Sequence, residues 1–441
     1  MAAELHASPT TLNLTVALYM LSMSIFPLWC TYHPPPIIQT TLTAPGSSFS
    51  ETLGRRTIYL VSFSLFVVFS VLSALSTNVA MLIVMRLLAG GAAASVQSVG
   101  AGTIADVWEP RERGRAMGMF YLGPLTGPLI APIVGGGLAQ RWGWQASMWF
   151  LAVFGALVVA MILFCLPETL PRPQPKPADV AADLSRTPSR RSVRAGTRKT
   201  AAHLRRFFVD PLAVLLWLRF PPIAITVCFA SVTFGALFVL NIAVQAAFSA
   251  PPYAFPELAV GLLYLPSSLG YVLASALGGR WIDAIMAREA RRAARFDDRG
   301  RPVLLPEDRM RENAWAAGTL YPAALVVFGW CVQRGVVWPV PATANFFFGV
   351  GSMLVFGAAT TMLTEFMPGR SSGGVAINSF VRNILSCAGT IVAQPLINAV
   401  GVGWLCTTVG LVCLVSGYAC IWSLRRWGPA WRKDLDLKLG A

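Results

Sequence analysis

Eleven stretches of this sequence are apolar and long enough to cross a bilayer: residues 11–30, 57–77, 79–105, 114–138, 146–166, 221–247, 258–278, 314–333, 339–362, 374–398 and 401–424. Runs of 18 or more mostly apolar residues match the thickness of the hydrocarbon core when helical. Inside lipid the backbone must satisfy its own hydrogen bonds, so these runs predict an all-α membrane protein with eleven spans. Charged residues make up 12% of the chain, about half the ~25% usual in soluble domains, which excludes one water-soluble core. The stretch YLGPLTGPLIAPIVGG at 121–136 is the sharpest case. Its Pro124, Pro128 and Pro132 would each cost ~3 kcal/mol in a soluble helix, whereas neighbouring membrane helices take up the freed carbonyls.

The formal charge of +15 reflects topology. Of 35 Lys and Arg, 31 fall in alternate loops and the C-terminal segment: 11 in 167–220, 9 in 279–313, 5 from 425 onward, and the rest beside Arg55, Arg113 and Arg370. The opposite loops hold only Arg141 and Arg334. By the positive-inside rule the basic loops and the C-terminus face the cytoplasm. A basic–aromatic face for nucleic acid is absent, so no nucleic-acid partner is expected. The partner that composition and charge point to is the lipid bilayer.

The polar interval divides the chain. Residues 1–166 form an N-terminal helix bundle of five spans, 167–220 a basic cytoplasmic linker ending in a membrane-surface helix, 221–424 a C-terminal six-helix bundle and 425–441 a cytoplasmic tail. The halves echo one another: Glu51 precedes Arg56 by five residues, and Asp283 precedes Arg288 by five. An acid followed by arginines can lock neighbouring helix ends; ordinary loop charge is the alternative. Two spans precede Asp283 in its half and one precedes Glu51 in its own. The Pro-rich segment 31–46 reads as an insert, and one N-terminal helix is expected to be missing. A read-through intron or a natural variant would each account for it.

Charges within spans are expensive and point to function. Arg86 and Arg382 each lie well inside a span, so each should face a polar cavity or a partner. A structural contact with carbonyls and snorkelling are the alternatives. Asn241 and Gln245 stand one turn apart, as do Asn378 and Arg382, and Gln97 faces some interior surface. Such amides serve equally as substrate contacts or as interhelical glue. Gly123, Gly127 and Ala131 recur at four-residue spacing, a stripe that lets helices approach closely.

Enzymatic readings find no support. Only four lysines occur, none after a glycine, which removes a P-loop. Eight cysteines and three histidines show no metal-ligand spacing, so no cofactor or metal is expected.

Several strings together resemble the major facilitator superfamily. RLLAGGAAASVQSVG is similar to the arginine-and-glycine motif of its fourth helix, GPLTGPLIAPIVGG to the antiporter motif of its fifth, and SETLGRR to its loop motif between helices two and three. IADVWEPRERGRAMG, LPETL and MPGRSSGGVAINSFVRNILSCAGTIVAQPLI resemble its fungal drug:proton antiporters, in the twelve-spanner group with dityrosine, quinidine-resistance and weak-acid exporters. The resemblance covers nearly the whole chain. It implies two six-helix bundles with substrate between them, moved by alternating access. It makes Arg86 the arginine of proton transfer and Gly123, Pro124, Gly127, Pro128, Pro132, Gly135 and Gly136 a hinge-like packing stripe. It places Glu51, Gly54, Arg55, Arg56, Asp106, Arg113, Gly114, Arg115 and Asp283 at a cytoplasmic gate.

The chain therefore reads as a multi-pass plasma-membrane exporter of small organic compounds by proton antiport. Its substrate would lie among Arg86, Gln97, Asn241, Gln245, Asn378 and Arg382, and the two arginines point to an anionic or acceptor-rich one. No acid stands in the middle of a span, so the proton carrier is open. A non-transporting or decayed membrane protein and an uncoupled facilitator are the rival readings.

Overall fold

The apolar runs need internal hydrogen bonding and receive it as helix. The computed structural model describes residues 8–31, 55–94, 96, 100, 103–104, 107, 127, 130–168, 210–296, 302–303, 305–366 and 371–439. In chain order the helices are α1 (Pro9–Thr31), α2 (Arg55–Ala74), α3 (Val79–Ala93), α4 (130–142), α5 (Trp144–Cys165), α6 (Pro221–Ser249), α7 (Glu257–Leu262), α8 (Leu265–Arg292), α9 (Glu312–Gln333) and α10 (Pro339–Phe366). The last helical stretch, Ser371–Leu439, changes direction at Gly401 (φ 83°, ψ 166°), which divides it into α11 (371–400) and α12 (402–439). Each of the eleven apolar stretches contains helix. Among the described residues seven helical stretches are long and apolar enough to cross a membrane, the one within Ser371–Leu439 holding two helices.

Local chemistry sets several helix ends. Asn78 Oδ1 accepts from the Met81 N–H at 2.8 Å and caps α3. Prolines occupy the first turns of α6 and α8, where their missing N–H costs nothing. At the kink, Gln333 Oε1 of α9 accepts from the Gly403 N–H at 2.6 Å, closing the start of α12 from outside.

Two helices run further than their apolar stretches. Residues 279–292 continue α8, with Ile282, Ile285 and Met286 buried beneath a charged outer face. Residues 425–439, expected as a tail, continue α12. Ahead of α6, Asp210–Arg219 forms a 3₁₀ helix where a membrane-surface helix was expected.

In the first half α2 packs against α3 and α5, and α1 against α3. In the second half α6 lies along Ser371–Leu439, and α10 joins α8 to α9. The larger core belongs to the second half, built on Phe229, Phe248, Tyr321, Phe328 and Phe348. The outer helices turn large apolar side chains outward, such as Phe154, Leu157 and Phe164 of α5, as expected where lipid is the solvent. The halves meet along α1 against Ser371–Leu439 and where α4 meets α7.

Candidate functional site: two arginines over rings and two helix junctions

The embedded arginines have a common geometry. Arg86 of α3 is half-buried, its guanidinium carbon 4.7 Å from the ring centroid of Tyr19 on α1. Its Nη1 is directed at Met148 Sδ of α5 at 3.9 Å. Among the described residues no carboxylate pairs with Arg86. Arg382 of α11 lies 4.3 Å over the Phe234 ring of α6. A cation over an aromatic face is stabilised by about 2 kcal/mol when desolvated, and keeps its charge.

The amides separate. Asn378 is 5% exposed, and its Oδ1 has no hydrogen-bond partner among the described residues. Asn241 is half-buried, and its backbone carbonyl accepts from Tyr264 Oη at 2.9 Å. Gln245 is exposed and donates to Ser249 Oγ at 3.3 Å, near the end of α6. Gln97 lies outside the described residues.

Of the proline–glycine stretch, Gly127, Pro132, Gly135 and Gly136 are described, and Gly123, Pro124 and Pro128 are not. The far end of that stretch makes a junction between the halves. A Cβ on Gly136 would stand 2.7 Å from Glu257 O, and one on Gly261 would meet Pro132 O. The α4 and α7 backbones touch, which only glycine permits there. Gln140 Oε1 accepts from the Leu258 N–H at 3.2 Å beside it.

Of the expected gate, Glu51, Gly54, Asp106, Arg113, Gly114 and Arg115 lie outside the described residues. Arg55 and Arg56 open α2 and engage the end of α5. The Arg55 N–H donates to Glu168 Oε1 at 2.8 Å, and Arg56 Nη2 donates to Leu163 O at 2.5 Å. Glu168 belongs to the LPETL string. In the second half Asp283 is exposed, and the Arg288 guanidinium goes to Glu312 at 2.6 Å and Glu289 at 3.4 Å. Further pairs close that end of the molecule: Arg309 with Glu365 at 2.5 Å, Arg295 with Asp308 at 2.6 Å, Arg311 with Glu289 at 3.0 Å and Arg432 with Glu307 at 3.3 Å.

Sequence reasoning missed Tyr19, Met148 and Phe234, because a ring or thioether within an apolar span carries no separate signal. It missed Glu289 and Glu307 as buried partners because loop acids read as solvated charge.

The profile described as Major Facilitator Superfamily matches residues 1–390. MFS transporter OpS2 of Beauveria bassiana is 46% identical over 78% of this chain and 98% of its own length. MFS antiporter QDR3 of Candida albicans is 32% identical over 98% of this chain and 75% of its own. Quinidine resistance protein 3 of Saccharomyces cerevisiae is 27% identical over 99% and 79%. The crystal structure of the human organic anion transporter MFSD10 (TETRAN) shares the fold, with a TM-score of 0.57 and 17% identity over 92% of this chain and 83% of that one. With its helical bundle, its embedded arginines and its fungal relatives, this chain belongs to the major facilitator superfamily, a family of multi-pass membrane transporters and not of enzymes.

Proposed function

We propose that the chain is a secondary active exporter of small organic compounds, working by proton antiport with alternating access between its halves. The observation that carries this reading is the pair of mid-span arginines, one in each half, each laid over an aromatic ring of a neighbouring helix. Embedded charge is costly and persists where a pathway uses it. A ring stabilises the cation through its π face, so the in-plane N–H donors of the guanidinium are not spent on it. The names of its relatives, which include an antiporter, a quinidine resistance protein and Efflux pump radE of Floropilus chiversii, lend further support.

The substrate lies between the bundles 1–166 and 221–424, among Arg86, Gln97, Asn241, Asn378 and Arg382, with Gln245 at the mouth. The Pro132–Gly136 end of the proline–glycine stretch, against Glu257 and Gly261, forms the packing contact on which the halves rock. The arginine-rich ends around Arg55, Arg56, Arg113 and Asp283 make the cytoplasmic gate. The chain is a monomer of the plasma membrane with its C-terminus in the cytoplasm. Replacing Arg382 with Ala in cells lacking their own exporters should impair efflux of an acidic compound far more than of a basic one. Equal loss of both counts against the reading, and efflux that survives collapse of the proton gradient counts against antiport.

A further inference from the structure

The apolar stretch of α12 ends at Leu424, and Arg425 and Arg426 follow at once. Residues 402–424 give about 34 Å of helix at 1.5 Å per residue, enough to cross a hydrocarbon core of ~30 Å. The helix runs on past that point to Leu439. Its inner face is pinned. Arg432 Nε lies 3.3 Å from Glu307 Oε1, and a Cβ on Gly428 would stand 2.9 Å from Glu307 Cγ. Ile421 and Leu424 are buried in the core on the same side. Trp422, Arg425, Arg426 and Trp427 are all exposed. The Trp422 and Trp427 rings meet edge-on at 4.9 Å, and Trp427 meets Trp431 at 5.7 Å. A ladder of indoles thus spans the boundary that the apolar run marks. Among the described residues no carboxylate pairs with Arg425 or Arg426, and Asp434 lies two turns further along the helix.

We propose that Arg425 and Arg426, beside the Trp422–Trp427 ring pair, form a docking site for the headgroup of an anionic phospholipid in the cytoplasmic leaflet. The choice of leaflet rests on the cytoplasmic placement of the C-terminus, and the site itself is independent of transport. Charge selects the headgroup. Each guanidinium presents a planar fork of donors that matches two oxygens of a phosphodiester. A choline or ethanolamine headgroup brings its own cation against the arginines, whereas an anionic headgroup brings none. Depth selects a lipid over a dissolved phosphate. Indole rings settle at the headgroup level of a bilayer, apolar body toward the acyl chains and N–H toward water. The two rings therefore offer a wall to the glycerol backbone of a lipid whose phosphate reaches the guanidiniums. Basic residues next to a membrane span attract anionic lipid, and the pinned α12 holds these two at fixed places rather than on a loose tail.

The test is lipid retention by the purified full chain in detergent, read by native mass spectrometry. The probes are dioctanoyl-phosphatidylglycerol and dioctanoyl-phosphatidylcholine, equal in acyl chains and different in headgroup charge. The unaltered chain should bind the phosphatidylglycerol about tenfold more tightly, the order expected of two basic residues at a membrane surface after screening. Arg425→Gln combined with Arg426→Gln should bring the two affinities together. Arg291→Gln combined with Arg292→Gln removes the same charge from the exposed arginine pair that ends α8, and should leave the preference in place. Trp427→Leu should weaken both lipids several-fold, and unchanged binding there would overturn the ring contact. Equal affinity of the unaltered chain for both lipids overturns the proposal. So does a preference that survives loss of Arg425 and Arg426, or one that vanishes equally with the α8 pair. Displacement of the lipid by excess glycerol 3-phosphate would overturn the lipid assignment in favour of a soluble phosphate. The selectivity of the unaltered chain is read first, so a variant that fails to fold does not remove the test. Selective retention by a chain that transports nothing would sink the exporter reading and leave this site standing. Transport without selective retention would do the reverse.

Discussion

Glu168 accepts a hydrogen bond from the backbone N–H of Arg55 at 2.8 Å, from 113 residues away. The start of a helix has N–H groups without partners and a partial positive charge, and a carboxylate answers both. In return Arg56 donates to the Leu163 carbonyl in the last turn of α5. Each helix of this antiparallel pair thus caps the other at the same end.

Glu168→Ala should destabilise the chain by the ~0.5–2 kcal/mol typical of a lost cap, and Glu168→Gln by less. Thermal unfolding in detergent reads the difference. An unchanged midpoint in the Ala variant would show that the cap contributes nothing.

The α4–α7 junction has no room for a side chain. Gly261→Val forces the Pro132 backbone away and should cost ~1–3 kcal/mol through overpacking, with transport falling in step. Gly127→Ala is the control: its Cβ would meet nothing within 4 Å, so its melting midpoint should not fall. Equal midpoints for the two variants would show that the junction is not tight.

Burial pushes the Glu307 carboxyl above the ordinary carboxylate range, against the opposing pull of Arg432. The folded chain then holds a proton that the unfolded chain has released. Stability from this group is full below about pH 4 and declines as pH rises through the raised value. Glu307→Gln, which does not ionise, should flatten that decline in melting temperature against pH. An identical slope in both proteins would remove Glu307 as its cause.

Arg86 and Tyr19 should couple. In a double-mutant cycle with Arg86→Met and Tyr19→Leu, the interaction energy expected for a desolvated cation–π pair is about 2 kcal/mol. Additive effects on unfolding would mean that the ring does not hold the charge.

Helix was legible in each apolar stretch, although among the described residues seven stretches reach spanning length, α1 and α3 offering only shorter apolar helix. Helix ends were less so. Past residue 278 the apolar run stops, but the Ala- and Arg-rich sequence keeps helical spacing and buries Ile282 and Met286, which a membrane-length criterion does not register. The site was legible in part. Arg86 and Arg382 stand out because charge in lipid is rare. Their seats do not, since Tyr19 and Phe234 look like any other ring in a span until α1 and α6 are packed. The acid–arginine spacing pointed to locked helix ends, but Arg288 found Glu312 across a loop rather than Asp283 on its own helix. Partner choice depends on which helices adjoin, and one sequence does not carry that.

The most direct test of proton-coupled export is uptake of labelled 1-naphthoate and 1-naphthylmethylamine into proteoliposomes with an acidic interior, against protein-free liposomes. A weak acid distributes passively toward the alkaline side, so its accumulation in an acidic interior is not leakage. Proton antiport should drive at least one probe inward above the protein-free level, with the excess lost on adding a protonophore and lost in Arg86→Ala. Uptake of both probes at the protein-free level, or an excess that the protonophore leaves untouched, would contradict proton-coupled export.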